Sequence, residues 1–569
     1  MDGPHASSAV TWNLGVGGGY TTSGTDRNVP PLLPPETFHI PLAPDIPPSL
    51  EYFLNYYDKF ICPVMVAVDT PSNPYRQQIL SLALESRSLQ HAICTLASGH
   101  MRMRQRQHPS RPHRPSQPLE PEAQVRIPGG YQLVSNVRNA PVMDFASDGV
   151  LDEPATQEEC FHRSRAAALL NQQLGDPSTA RHDAVLATLL ILCSYRLCVS
   201  GIAQFKTQLT GAKKLLRLRS SGRETGNWGW METLFTFFDA AAATVSDREA
   251  QLRGDYLDMI AAPSPAGCAF QNLAGCDAGL FKTIARLGRL NLLSQRRPVL
   301  DPFRRSSDGP HDPVRSDQPQ PRLAGQALAD FYKFHAQKFD GNGFSSPLDH
   351  YDVEGAAHSA ASTFSPISNI PSSMYSPLAG ASSPADEARL LFWWEWTGAR
   401  HELQAWDFSA ATLTSALPVP PTPQQARDFS RVSEAFRYAA LLYLERLASP
   451  QLPSSHSNIQ HFVTRTFYFV NELQGSDLEK FLLWPLFVLG SESISELQRG
   501  VVRARCRVLS QRSGYSNGLV GLEILERCWR EMDAEAAGVD PARGLKSRDQ
   551  SPFRWTRWME GLDGEIMMA

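Results

Sequence analysis

Between Phe161 and Arg219 apolar residues recur at helical spacing in three successive stretches. Ala166, Leu169, Leu170 and Leu174 form the first stripe, and Gly175-Asp176-Pro177 ends it. Asp183 is placed to cap a second helix, in which Leu186, Leu189, Leu190, Cys193 and Leu197 line up. That helix is apolar almost all round, as suits one buried by neighbours on several sides, and it is too short to span a bilayer. Ser200-Gly201 breaks it. Phe205, Leu209, Ala212 and Leu216 then make a third stripe, with Lys206, Lys213 and Lys214 off it. The three predict the centre of an all-α domain.

The same periodicity extends on both sides. EYFLNYYDKFICPVM reads as a short amphipathic helix ending at Cys62-Pro63. Ile79, Leu80, Ala83 and Leu84, then Leu89, Ile93, Leu96 and Ala97, continue the pattern, which places His91 and His100 as helix residues and not as ligands. Trp228, Trp230, Met231, Leu234 and Phe237 mark another helix, and a further apolar one is predicted over Leu280–Leu293. Helices resume with Leu390, Leu391, Trp393, Trp394 and Trp396, then Phe436, Ala440, Leu444 and Leu447. Pro485 can open a helix whose end Trp484 and Phe487 anchor in the core. Leu522, Ile524, Leu525, Cys528 and Trp529 close the series.

The predicted organisation is therefore one large multi-helix domain with breaks. Residues 1–48 read as a disordered tail and 49–106 as the first helices. Residues 107–153 are a disordered insertion, and 154–297 hold the central helices. Residues 298–384 are a largely disordered insertion with one helix-like patch, LAGQALADFYKFHAQKF. Residues 385–535 complete the domain, and 536–569 form a C-terminal tail.

Composition narrows the function classes. Of 569 residues 42% are hydrophobic, enough for a substantial core, and the 43 prolines cluster in the predicted insertions. A net charge of −4 gives no general reason to expect nucleic-acid binding by the chain itself. No signal-peptide pattern or membrane-length apolar run is found, so a soluble, intracellular protein is expected. Nine scattered cysteines fit a reducing compartment. GVGGG at Gly15–Gly19 lacks the strand and the following Lys-Ser/Thr of a phosphate loop and reads as flexible tail. RMRQRQHPSRPHRPSQP, with Arg102, Arg104, Arg106, Arg111 and Arg114, reads as a solvated loop, the alternative being a nuclear-import or anion-binding segment.

Catalytic and metal patterns are absent from the sequence. No two of Cys62, Cys94, Cys160, Cys193, Cys198, Cys268, Cys276, Cys506 and Cys528 are separated by two residues. Cys193 and Cys198 lie five apart in one helix and point to different faces. There is no DDxxD, GxSxG, HExxH, haem-thiolate or Rossmann pattern. His182 beside Asp183 could be written as an acid/base pair, but capping accounts for the Asp. The chain is thus read as no enzyme, with no catalytic, cofactor-binding or metal residue and no cofactor.

Three separated blocks carry a family resemblance. The first is the aromatic-rich "YYxxFxxP" segment with the "LxxAxxxLAxxH" helix. The second is the "hxRAxxLL" helix with the one ending GAKKLLRLR. In the third, Trp484-Pro485-Leu486-Phe487 with Gly490 and Glu492 precedes an Arg-bearing helix and an "xxLLExxW" helix. Together they resemble the regulatory (middle homology) domain of fungal zinc-cluster transcription factors over most of residues 50–535. The resemblance implies an all-helical regulatory domain acting in the nucleus on metabolic or secondary-metabolite genes. It implies a small-molecule effector, a homo- or hetero-dimer, and contacts with a DNA-binding factor or the transcription machinery. The chain departs from the family in lacking the six-cysteine module, which argues against direct zinc-dependent DNA binding. Either a partner reads DNA, or an upstream exon carries the module. The competing class is an all-helical enzyme or a small-molecule-binding scaffold.

Overall fold

Pro48 opens the first helix, α1 (Pro48–Tyr56), where its missing N–H costs nothing. In this computed structural model the described residues are 47–107, 156–203 without 177, 212, 213, 215 and 216, 229–261, 264, 267–299, 384–538, 551–559, 565, 566 and 568. Apart from their edges, the expected tail 1–48 and the insertions 107–153 and 298–384 lie outside them. So do the helix-like patch 323–339 and Arg111 and Arg114.

The chain does not leave helical geometry at Cys62-Pro63. A π turn, Tyr57–Ile61, passes into a 3-10 turn, Cys62–Met65, with Pro63 near its start. Another π turn, Tyr75–Ile79, leads into α2 (Leu80–Glu85). Helix α3 (Arg87–Gln107) then carries Arg102, Arg104 and Arg106 in its last turns, so this part of the basic stretch is helix and not loop. The cations suit a helix C-terminus, where backbone carbonyls are unsatisfied. After α4 (Gln157–Gly175), α5 (Asp183–Val199) is capped by His182, whose Nδ1 accepts from the Ala184 N–H. The cap is therefore His182, and Asp183 is the first helical residue. In α4 the inward residues are Glu159, His162, Ala166 and Leu170, while Leu174 is exposed. Of the third predicted helix in this region, Ala212, Leu215 and Leu216 are helical and buried, and Leu215 packs with Leu170 and Val185. Phe205 and Leu209 lie outside the described residues.

A short strand β1 (Ile202–Ala203) precedes α6 (Gly229–Val245), α7 (Asp255–Ile260) and α8 (Phe270–Ala274). The single helix expected over Leu280–Leu293 is two, α9 (Ala278–Ile284) and α10 (Leu287–Ser294), parted at Ala285-Arg286. Helices α11 (Pro384–Ala405) and α12 (Ala410–Ala416) lead to α13 (Pro423–Ala448). A Thr422/Gln425 capping box starts α13 well before Ser433, where its apolar pattern becomes legible. Helix α14 (Ser457–Glu472) is absent from the predicted set, although Ile459, Phe462, Val463, Thr466, Phe467 and Val470 are buried on one face. Helices α15 (Leu483–Ser491), α16 (Glu496–Ser513) and α17 (Asn517–Ala536) follow.

The C-terminal stretch is not a tail throughout. Helix α18 (Trp555–Met559) and β2 (Glu565–Ile566) return to the core, and β2 pairs antiparallel with β1. Phe553 stacks on Trp555 at 4.2 Å and meets Tyr443 at 4.3 Å, and both are almost fully buried. The two-residue strands leave the class all-α.

Packing centres on α6, which has Trp230 and the whole run Thr233–Val245 buried. Its last carbonyls have no intrahelical partners and no water to reach. Donors from three distant segments satisfy this end. Tyr443 Oη donates to the Thr244 carbonyl at 2.7 Å, Trp484 Nε1 to Thr244 Oγ1 at 2.8 Å, and Trp555 Nε1 to the Val245 carbonyl at 3.2 Å. Around this axis α3 packs on α1, α4 and α5, α13 on α14 and α15, and α17 on α15 and α16. The turn between α16 and α17 needs Gly514, at φ +74°, because a Cβ there would run into the His100 ring. Gly514→Ala should cost about 2–4 kcal/mol, combining left-handed strain with overpacking. Chemical denaturation measures it, and an unchanged midpoint would refute this account of the turn.

Candidate functional site

The first helices, α5 and the α16–α17 turn converge on α3, and α3 positions the best-formed candidate site. His100 joins three segments. Its Nε2 lies 2.8 Å from the Ser513 carbonyl and its Nδ1 lies 2.9 Å from Tyr56 Oη. A carbonyl only accepts, so Nε2 carries the proton and Nδ1 accepts from the tyrosine. Nearby, the Cys198 thiol donates to the Gly514 carbonyl at 3.5 Å, and the Ser516 N–H donates to the Cys198 carbonyl. Burial pushes the His100 imidazole down to about 4, against the opposing bond to Ser513.

Two further polar contacts tie α3 to α4. His91 Nδ1 and His162 Nδ1 are 2.9 Å apart, so at least one imidazole must stay neutral to accept. Burial first, and the neighbouring His162 second, push His91 down to about 4, and burial also lowers His162. Arg102 forms a bidentate pair with Glu159, at 2.9 and 2.8 Å, and Tyr195 Oη donates to the same carboxylate at 2.7 Å. Burial would raise the Glu159 carboxyl, but the Arg102 and Tyr195 hydrogen bonds outweigh it and hold the carboxyl low.

Above this network lies an open cleft of about 340 Å³. Tyr52 and Phe53 of α1 form one wall, and Ser98, Met101, Arg102 and Gln105 form the floor, spaced as one face of α3. Thr156 and Glu158 complete it at the start of α4. A larger cleft of about 560 Å³ lies between α7, α9 and α11. Its charges neutralise one another in solvent, Lys282 with Asp258 at 2.8 Å and Arg286 with Glu402 at 2.9 Å. The smaller cleft, with apolar walls and one buried ion pair, is better suited to hold an amphipathic group.

Neither cleft assembles reactive chemistry from the described residues. No group of three His, Cys, Asp or Glu converges there on a metal position. Burial pushes the thiols of Cys193, Cys506 and Cys528 up to about 12, which keeps them protonated and poor as ligands or nucleophiles. Among the described residues no helix is long and apolar enough to cross a membrane.

The Trp484-to-Glu492 motif belongs to the core and not to a cleft. Trp484 stacks on Phe436 at 5.6 Å, and Phe487 packs at 5.2 Å from Trp555. The Gly490 carbonyl accepts from Trp529 Nε1 at 2.8 Å, and Leu525 leaves no room for a Cβ at Gly490. Glu492 is buried and receives Arg446 through two bonds, at 2.8 and 2.6 Å, with Ser454 Oγ at 2.7 Å. Arg499, at the start of α16, reaches Asp533 and covers the Trp529 ring. Sequence reasoning placed the motif but missed Arg446, whose partner lies on another helix.

The family model described as the fungal specific transcription factor domain matches residues 52–308 and 397–568. No curated protein and no solved structure matches the chain.

Glu492→Ala should cost about 3–5 kcal/mol, because it strands a buried guanidinium, whereas replacing Arg446 and Glu492 together by methionines should recover most of that loss. Denaturant midpoints of the three proteins decide it. The histidines set an acid limit. Unfolded imidazoles protonate near 6.5 and folded His91 and His100 near 4, so between these values the unfolded chain binds more protons. Stability should be intact above pH 6.5 and fall as pH drops toward 4, and His100→Gln should flatten that slope in unfolding measurements across the range.

Proposed function

The chain belongs to the fungal specific transcription factor domain family, and from that premise we propose how it acts as a fungal-type transcription regulator. It works in the nucleus and controls a set of metabolic or secondary-metabolite genes. The observation that carries this reading is the family match on both sides of residues 309–396, over a chain whose nine cysteines include no C-x2-C pair. A zinc-cluster reader needs such pairs to hold its metals. In this reading a DNA-binding partner delivers this chain to promoters, and its helical blocks 49–106, 154–297 and 385–535 form one regulatory domain.

Regulation follows from the cleft on α3. An amphipathic effector or partner segment seated between Tyr52, Phe53 and Met101 touches Arg102, two residues from His100. The ligand shifts the domain between inhibited and permissive arrangements only as far as it binds one better than the other. In this reading the domain senses a ligand.

The test is chromatin occupancy of the tagged full-length protein, paired with mapping of the 5′ end of its transcript. Occupancy of specific promoters by this chain, lost when a DNA-binding partner is depleted, is the expected result. An upstream exon encoding paired C-x2-C motifs would replace partner recruitment by direct reading. Exclusion from the nucleus with no promoter occupied would sink the proposal.

A further inference from the structure

Helix α16 is rigidly terminated, by a Ser495/Gln498 capping box at one end and Gly514 in the left-handed region at the other. One face, with Val502, Cys506 and Leu509, is buried in the core. On the opposite face Leu497, Gly500 and Ala504 are exposed, and Val501 and Val508 are half-buried. Leu497, Gly500, Val501, Ala504 and Val508 fall within an arc of about 100° there, at 100° per residue. Leu497 is 75% exposed, the largest value among the exposed large hydrophobics of the described residues, and Ile494 beside it is 39% exposed. A Cβ added at Gly500 would meet nothing within 4 Å, so another backbone can approach closely.

We infer that this face of α16 is a self-association surface, occupied by α16 of a second copy of the chain running antiparallel. Charge placement selects that occupant. Glu496 and Arg507 sit on the same flank of the stripe, about 20° apart around the axis. With a two-fold axis between Gly500 and Val501, Leu497 faces Ala504 of the second copy. Glu496 then comes level with its Arg507 to within about 3 Å along the axis. Arg507 has no ion pair among the described residues. Among the described residues Glu496 is held only by an exposed contact to Arg503, which Glu526 already engages through two bonds. Trading that contact for Arg507 of the second copy costs little. A parallel copy would instead turn this flank toward the opposite flank of its partner, leaving Glu496 and Arg507 unpaired. A single helix face buries less than a standard interface of roughly 1,600 Å², so the dimer is weak and concentration-dependent.

This deepens the reading of the chain as a regulator that assembles with partners, and rests on it. Sedimentation of the full chain over a wide concentration range reads mass alone, so its failure is separable from that of promoter occupancy. Wild type should shift from monomer to dimer. Leu497→Asp should weaken the dimer at least about tenfold. Glu496→Arg and Arg507→Glu should each weaken it several-fold, and the two combined should restore it. Leu497 and Arg507 are solvent-facing, so their variants should melt as wild type does, while Glu496→Arg loses its contact to Arg503 and should melt slightly lower but cooperatively. A wild type that stays monomeric, a dimer indifferent to Leu497→Asp, or a double variant no better than the singles would overturn the inference.

Discussion

The structure depends on closing the buried end of α6. A helix enclosed on all sides cannot leave its last carbonyls to water, and each buried polar group left unpaired costs about 1–3 kcal/mol. Tyr443, Trp484 and Trp555 supply the donors at Thr244 and Val245. Each comes from a different part of the chain, so satisfying one helix end also fixes where α13, α15 and the C-terminal segment lie. The rings that deliver these donors are themselves core, which is why polar pairing and apolar burial are met by the same three side chains.

The same rule governs the polar contacts at α3. His100 is buried, His91 and Arg102 are half-buried, and each has a partner from another segment: Ser513, His162 and Glu159. These contacts make the first helices inseparable from the α16–α17 turn. They also place the cleft beside the contacts most sensitive to protonation.

Residues that stand out in a sequence need not be functional. Trp484, Gly490 and Glu492 mark a motif because the core constrains them: an indole must reach Thr244, a glycine must clear Leu525, and a carboxylate must hold Arg446. The exposed stripe on α16 proposed as a partner surface lies outside these residues. Its signal is an ordinary leucine on the wrong side of a helix.

What the sequence by itself determined was helix content and much of the core. Leu186, Leu190, Cys193 and Leu197, then Trp230, Met231, Leu234 and Phe237, then Leu522, Ile524, Leu525, Cys528 and Trp529 are buried where their spacing predicts, while Leu189 is only partly so, because a helical period places such stripes on one face. Helix α14 was equally legible in Ile459 to Val470, and its period could have been read. Tertiary structure alone decided the rest. It chose His182 over Asp183 as a cap, parted the expected Leu280–Leu293 helix, and drew Phe553, Trp555 and Ile566 into the core from a stretch without helical period. It also paired Arg446 with Glu492 and set Tyr52, Met101 and Arg102 around one cleft. Local periodicity records which residues avoid water, but partners tens or hundreds of residues apart are chosen by which buried polar groups must meet, and that is known only once the helices are packed.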